Sequence, residues 1–362
     1  MKNQFFSAIA TALSIAAMNV QMVHAADLAP YLNPNQPLEI RVEDLLSRLT
    51  LEEKISIIHA DSKFSTAVIP RLGIPKRWLS DGPHGVREDV GPDTWQPAGH
   101  TDDFSTAMPA GICLAATWNG GESSEIKAFY EITPLQGLIN RVGQRANITF
   151  SEGYRTNGDA SLTENAVAAA KSADVVIFIG GLNHDPGFDC EGSDRIDLKL
   201  PYGQDELIQK IVTANPRTIV VLDGTMVEMN SWLNKIPALL QAWYPGMEGG
   251  NALAGILFGD VNPSGKLPAT FPKKLSDSPA QVLGAYPGTN GTVTYMEGLL
   301  VGYRWFDTKN IEPEFPFGFG LSYTTFAYSN LKLVESTGTN GPLVTAQFEI
   351  KNTGDVAGAE VA

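Results

Sequence analysis

The sequence predicts an α/β protein, and three observations carry that prediction. Val175-Val176-Ile177-Phe178-Ile179-Gly180-Gly181 is a continuous apolar run of the kind that fills a strand buried on both faces. Beyond about Thr133 such runs alternate with helix-patterned stretches, which is the rhythm of a parallel sheet covered by helices on both faces. From Tyr328 onward the period shortens to two, as in Val344-Thr345-Ala346-Gln347-Phe348-Glu349-Ile350, which predicts a β-sandwich that begins and then stops at Ala362.

In chain order, Val42 to Ile58 carries apolar residues at helical spacing and predicts two short amphipathic helices broken near Leu49, with Thr50 shortly before Lys54. Ser80-Asp81-Gly82-Pro83-His84-Gly85-Val86-Arg87 is too heavily punctuated by glycine and proline for regular structure and is expected to be a loop. Ala110 to Asn119 is a second apolar piece, ending abruptly at Gly120-Gly121. Asn147 to Phe150 reads as a strand, Thr163 to Ala173 as an Ala-rich helix, and Val175 to Gly181 as the buried strand. Helix Gln204 to Ala214, strand Thr218 to Leu222, strand Ala238 to Ala242 and helix Gly250 to Leu257 repeat the unit. There is no repeat of solenoid type and no low-complexity tract.

Composition narrows the function. With 362 residues and 43% hydrophobic content, the chain is long and apolar enough for two domains or one large one. Its 40 acidic against 26 basic side chains give a formal charge of −14, which repels phosphate backbones, so nucleic acid is not expected as a partner. Lys2 opens an apolar run from Phe5 to about Met18 that leads to Val23-His24-Ala25, a small-x-small pattern. Residues 1–25 therefore read as a signal peptide cut after Ala25, and a secreted or periplasmic location follows. That run falls short of the roughly 20 residues that span a bilayer, and no later segment is long and apolar enough to span. Two cysteines, Cys113 and Cys190, are too few for a disulfide-built fold, and they either pair or stay as buried thiols. Asn147-Ile148-Thr149 and Asn290-Gly291-Thr292 match the glycosylation sequon. No Ser-His-Asp or Cys-His arrangement, zinc-spaced ligand set or phosphate loop is evident, so neither a metal nor a cofactor is expected.

Two loops hold the carboxylates of interest. Asp189-Cys190-Glu191-Gly192-Ser193-Asp194-Arg195 follows the run that ends at Gly181. A carboxylic acid that protonates a leaving oxygen needs a raised pKa, from burial or from a neighbouring carboxylate. Asp189 and Asp194 are placed to supply that neighbour, and Arg195 opposes it; on composition alone the segment is a solvated acidic loop. Asp81 sits in the glycine- and proline-rich loop, where a carboxylate can accept several hydroxyl protons in charge-assisted bonds, or simply serve as an Asp-Gly turn residue. His84 and Arg87 read as structural partners of the same loop.

Longer motifs give these loops a context. Trp243-Tyr244-Pro245-Gly246-Met247-Glu248-Gly249-Gly250, continued by Asn262-Pro263-Ser264-Gly265-Lys266-Leu267-Pro268-Ala269-Thr270-Phe271-Pro272, resembles the C-terminal α/β domain of glycoside hydrolase family 3. Val301 to Phe306 and Phe315 to Thr324 follow in the family's order. By themselves these motifs speak of fold, their glycines and prolines as turn chemistry and their aromatics as core. The resemblance implies that Glu191, in its Glu-x-x-Asp-Arg segment, is the general acid/base. It also implies that Asp81, in a segment similar to an early barrel motif, hydrogen-bonds sugar hydroxyls in the glycone subsite. The fold it implies is a truncated segment of a (β/α) TIM-type barrel over 26–130, a parallel α/β sandwich domain over 131–326 and an incomplete fibronectin type III-like domain over 327–362. The activity it implies is retaining hydrolysis of terminal non-reducing β-D-glucosyl residues from a β-glucoside or oligosaccharide. The Asp-Cys-Glu-Gly-x-Asp-Arg form leans towards glucose over xylose or N-acetylglucosamine.

One departure bears on activity. Between Asn119 and Phe129 the chain lacks the family's Lys-His pair and its Ser-Asp-Trp-like segment, so the nucleophile is absent. Ser276-Asp277 lies inside the second domain, where a surface loop is expected. A full barrel takes about 250 residues, while Ala26 to Tyr130 supplies about 105. The chain is therefore expected to be inactive, with residues 26 to about 125 loosely held. Glu191 and Asp81 are expected to stand farther apart than the roughly 10 Å that bounds working carboxyl pairs. Two other readings stay open. One is a non-catalytic carbohydrate-binding remnant using Asp81 and the Glu191 loop, which needs an aromatic platform from Trp78, Trp95 or Trp118. The other is an active enzyme of a different class.

Overall fold

Thr50 decides where the first apolar stretch breaks. Two helices, α1 (Leu38–Arg48) and α2 (Leu51–Ile57), meet at Leu49 as predicted. Thr50 Oγ1 accepts the amide of Glu53 at 3.2 Å, and Glu53 Oε2 accepts the amide of Thr50 at 2.9 Å. This reciprocal capping box satisfies two amide donors that the start of α2 would otherwise leave unpaired. The partner of Thr50 is thus Glu53, a capping pair that sequence analysis did not single out. The computed structural model describes residues 28–81, 86, 90–91, 94, 96–106, 127–155, 158–190, 195–286, 288–338 and 341–362. Its contacts divide the chain into two units, Met1–Leu79 with Pro92–Thr94 and Ser80–Gly91 with Trp95–Ala362.

The first unit holds α1, α2 and a short antiparallel pair, β1 (Ala60–Ser62) and β2 (Ser65–Thr66). Its core is small: Leu49, Ile69 and Leu72, flanked by Tyr31, Leu45, Ile57 and Ile74. Leu38, Leu51, Ile55 and Ile58 remain exposed, so the helices cover only part of their apolar surface.

The second unit carries the sheet. It opens with α3 (Pro134–Val142), an element the sequence reading does not include. Proline is tolerated at the first helical turn, and Thr133 Oγ1 caps the helix by accepting the Gln136 amide at 3.2 Å. Residues 147–150, read as a strand, are irregular instead. Ile148, Thr149 and Phe150 have strand propensity but, among the described residues, no strand pairs with them, and Phe150 points out to solvent. Next come α4 (Ala160–Ser172), β3 (Val176–Gly181), α5 (Gln204–Ala214), β4 (Thr218–Asp223), β5 (Ala238–Trp243) and α6 (Gly249–Leu257). These match the predicted alternation closely. The three strands are parallel in the order β3-β4-β5, with Val176 opposite Thr218 and Ile219 opposite Ala238.

Burial along β4 shows what covers the sheet. Val220, Val221 and Leu222 are 0%, 0% and 1% exposed. Successive strand side chains point to opposite faces, so β4 is covered on both. Phe178, Leu207, Ile208, Ile211, Val212 and Trp232 gather with Val220 and Leu222 in one core, while Leu253 and Ile256 of α6 line the face that carries Leu240 and Ala242. Burying each large apolar side chain contributes about 2 kcal/mol.

Glycine permits the closest helix contact. A Cβ on Gly137 in α3 would stand 2.0 Å from the Gly250 carbonyl oxygen in α6, and a Cβ on Gly250 would stand 2.0 Å from that of Thr133. The Gly250 amide donates to Ile132 O at 2.9 Å across the same contact. The later motifs pair with one another: Leu267 N donates to Phe319 O and Phe271 N to Phe315 O, both at 2.8 Å. Between them lie α7 (Pro279–Val282) and α8 (Tyr303–Lys309), the latter burying Trp305 and Phe306. The chain closes with β6 (Phe326–Gly338) and β7 (Gly341–Asn352), an antiparallel pair with no second sheet over it among the described residues. Asn262 Nδ2 donates to Ala357 O at 3.0 Å, and Lys266 pairs with Glu360 at 3.2 Å, which ties the following tail to the α/β layer. No helix among the described residues is long and apolar enough to cross a membrane.

One buried amide fixes the end of β3. Gln204, 0% exposed, accepts the Gly181 amide and donates to the Gly181 carbonyl, both at 2.8 Å. Replacing it by alanine strands both backbone groups away from water, so Gln204→Ala is expected to cost about 3 kcal/mol, read as a lowered urea midpoint followed by tryptophan fluorescence. The thin core of the first unit gives a second expectation: limited proteolysis cuts within residues 28–79 before it cuts within β3, β4 or β5. Equal protection of both regions would sink it.

Candidate active site

Parallel α/β sheets present their ligand-binding loops beyond the carboxyl ends of the strands. In this sheet the loops after β3, β4 and β5 converge on one carboxylate, that of Asp189. Thr225, two residues past β4, donates its amide to Asp189 Oδ2 at 2.8 Å and its hydroxyl to Oδ1 at 2.7 Å. Tyr244, the residue after β5, donates its hydroxyl to Oδ2 at 2.8 Å. Arg195 Nη1 lies 3.9 Å from Oδ1, an ion pair rather than a hydrogen bond, and donates to Met226 O at 2.7 Å. The side chains of Asp189 and Arg195 are only 9% and 13% exposed. Breaking such a pair from one side leaves an uncompensated buried charge, a loss of about 3–5 kcal/mol.

The backbone makes room for this arrangement at Gly224, where φ is +92°. A Cβ there would stand 2.7 Å from Leu182 Cβ and 3.1 Å from Asp189 Oδ2. Trp243, at φ +58°, adopts the left-handed region that costs a non-glycine residue about 1–2 kcal/mol. Its carbonyl accepts the Gly224 amide at 3.1 Å, so the strained turn links the exits of β4 and β5 and delivers Tyr244 to Asp189.

Two groups of aromatic rings pack along the segment from His184 to Phe188. His184 stacks on Tyr244 with ring centres 5.7 Å apart, and its Nδ1 meets the Asp189 carbonyl oxygen. Tyr202 stacks on Tyr154 at 6.3 Å, takes the edge of Phe188 at 5.5 Å, accepts from Asn183 Nδ2 at 3.0 Å and donates to Asp185. Burial, followed by the charge of Asp189 and the hydrogen bond to it, holds the Tyr244 phenol far above its ordinary pKa. Burial also pushes Tyr154 up to about 12, helped by Asp223 and Tyr202. Arg195 moves the other way: burial pulls its guanidinium below the usual value, against the opposing charges of Asp189 and Asp197.

The residues singled out in the sequence fall unevenly. Asp189 and Arg195 come together at the sheet end. Glu191 and Asp194 lie outside the described residues, as do Cys113, His84, Arg87, Trp95 and Trp118. Asp81 is described and half-buried, its carbonyl accepting Ser80 Oγ at 3.1 Å; its separation from Glu191 lies outside what is described. Trp78 is exposed, with Lys76 Nζ 5.5 Å from its ring centre. Asp277 closes a single 3₁₀ turn, accepting the Lys274 amide at 3.2 Å and, on its carbonyl, Trp305 Nε1 at 3.1 Å. No group of three or more potential metal ligands occurs among the described residues. Thr225 and Tyr244 were missed. Their signal is positional, since each stands just past the carboxyl end of a predicted strand. Both oxygens of Asp189 accept hydrogen bonds and Arg195 stands beside it; Glu191, for which Asp189 is expected to be a like-charged neighbour, lies outside the described residues.

Residues 106–323 match the glycosyl hydrolase family 3 C-terminal domain. The chain belongs to glycoside hydrolase family 3. Among relatives in this family, it is 42% identical over 258 residues to the β-glucosidase BoGH3A of Bacteroides ovatus, covering 67% of this chain and 34% of that one. The crystal structure of a family 3 β-glucosidase from Bifidobacterium adolescentis superposes with a TM-score of 0.57 at 36% identity, covering 64% of this chain and 34% of the other. That of β-glucosidase 3B from Thermotoga neapolitana in complex with glucose gives 0.53 at 27% identity, covering 67% and 37%. The chain thus spans about a third of the length of the relatives it matches.

The raised phenols set an alkaline limit. Unfolded tyrosines ionise near pH 10, whereas Tyr154 keeps its proton until about pH 12. Its contribution to stability is therefore complete below about pH 10 and is lost as pH climbs through about 12. One pH unit above the ordinary tyrosine value, Tyr154→Phe is expected to recover about 1 kcal/mol relative to the parent, measured as the difference between urea midpoints at neutral and alkaline pH.

Proposed function

We propose that this chain derives from a retaining β-glucosidase of family 3 and does not itself turn over β-glucosides. The observation that carries the reading is the family match over 106–323 together with relatives named β-glucosidases. In this reading Glu191 is the acid/base and Asp81 a ligand for sugar hydroxyls. The substrate class is terminal β-D-glucosyl residues, favoured over β-xylosyl or β-N-acetylglucosaminyl ones. Residues 26–130 derive from the (β/α) barrel, 131–326 form the α/β sandwich domain, and 327–362 contribute fibronectin type III-like strands. Residues 1–25 serve as an export signal that directs the chain to the periplasm or outside the cell.

Retaining hydrolysis needs two carboxylates about 5 Å apart, one to attack the anomeric carbon and one to protonate the leaving oxygen and then activate water. The chain has a candidate for the second role, and no Ser-Asp-Trp-like segment for the first. A general acid alone retains only part of the double-displacement machinery, which supports the inactive reading. Aryl β-glucoside hydrolysis by the purified chain is expected at no more than the background rate. Robust turnover that disappears in Glu191→Gln would overturn this and point to another carboxylate as nucleophile.

A further inference from the structure

We propose that the hairpin of β6 and β7 is an interaction surface for a second copy of this chain, two such hairpins laying their apolar sides together as the layers of a β-sandwich. The inference is independent of which residues carry the glycosidase chemistry.

Alternation sets the apolar side. The register places Tyr328 opposite Ile350, Leu333 opposite Ala346 and Glu335 opposite Val344, so these side chains share one side of the sheet. Asn330, at φ +56°, sits in the irregularity between Ser329 and Lys332, where β6 carries one residue more than β7. Without that extra residue Leu331 and Leu333 would point to the other side. Phe348 completes the set, its ring stacked on Tyr328 with centres 6.1 Å apart. The reverse side is mostly polar, with Lys332 opposite Gln347 and Ser329 opposite Glu349.

Exposure then asks for a second layer. Tyr328, Leu331, Leu333, Val344, Phe348 and Ile350 are 40% to 66% exposed. The tail after β7 touches the base of this side, where Tyr328 donates to Glu360 Oε1 at 2.9 Å; Leu331, Leu333 and Val344, farther out, are the most open of the six. A lone two-stranded hairpin is marginal in water, and a sheet with one apolar side is stabilised by a layer packed about 10 Å above it.

Area and charge select the occupant. Six half-open side chains of this size offer on the order of 600 Å² of apolar surface. With the polar rim of the hairpin added, this approaches the roughly 800 Å² per partner of a standard interface. Two copies related by a two-fold axis meet that need with a single self-complementary patch. The charges of the hairpin also balance, Lys332 and Lys351 against Glu335 and Glu349, whereas the chain as a whole carries −14. Two hairpins therefore meet without the repulsion that more acidic surfaces of two copies would bring. Running them antiparallel keeps Glu335, on the apolar side near the turn, away from its equivalent in the second copy.

Sedimentation equilibrium on the full chain is expected to show a monomer–dimer equilibrium in the micromolar range. Leu333→Ala is expected to raise the dissociation constant about tenfold, and Leu333→Glu combined with Val344→Glu to leave a monomer. Thr345→Glu, on the polar side of the same hairpin, is expected to dimerise as the parent does. Leu333→Ala only shortens a side chain that stands mostly in water, so it reads the contact even if the paired glutamates disturb the hairpin. Hydrogen exchange separates the modes of association: packing face to face leaves the outward amides of β6 and β7 exchanging freely, and pairing edge to edge protects them. A parent that stays monomeric up to its solubility limit overturns the proposal. So does a dimer that survives the paired glutamates, one lost equally in Thr345→Glu, one whose outward strand amides slow on association, or an assembly that grows past two copies.

Discussion

A single buried carboxylate organises the carboxyl end of this sheet. Asp189 reaches from the loop after β3 to the exits of β4 and β5, and Thr225, Tyr244 and Arg195 all orient toward it. Burying a carboxylate is costly unless its oxygens are hydrogen-bonded, and here both oxygens accept hydrogen bonds while Arg195 stands 3.9 Å away. The neighbouring features follow from that requirement. Gly224 is needed because any side chain would press on the carboxylate, and the strained Trp243 turns the chain so that Tyr244 can donate.

The α/β layer buries a core of its own. The central cluster draws on α4, α5, β3, β4 and the segments around Trp232 and Phe271, all within one unit. That self-sufficiency fits a region whose family match is continuous although the chain spans only about a third of its relatives. The first unit differs. Its core of Leu49, Ile69 and Leu72 is too small to cover the apolar faces of its two helices.

Many motif residues that mark the family turn out to be packing devices. Gly250 permits α6 to touch α3 through backbone atoms, and the Phe315 to Phe319 stretch pairs with Leu267 to Phe271 while Phe271 packs edge-on against Trp243 at 6.0 Å. Such positions reveal the fold with high specificity and say little about chemistry.

Local sequence determined the elements whose signal is periodic or compositional. The buried strands, α5 and the break at Leu49 all follow from apolar runs, helical spacing and capping residues, because those signals act over one or two turns of chain. The same logic fails where a local preference has no tertiary support. Ile148 to Phe150 looks like a strand yet finds no partner among the described residues, and α3 packs against α6 through its glycine, a contact that local sequence does not show. At the site, the sequence marked Asp189 and Arg195 but not what they do. Thr225 and Tyr244 stand 36 and 55 residues from Asp189 along the chain. Only the parallel sheet, by aligning the ends of β3, β4 and β5, brings those donors to one carboxylate.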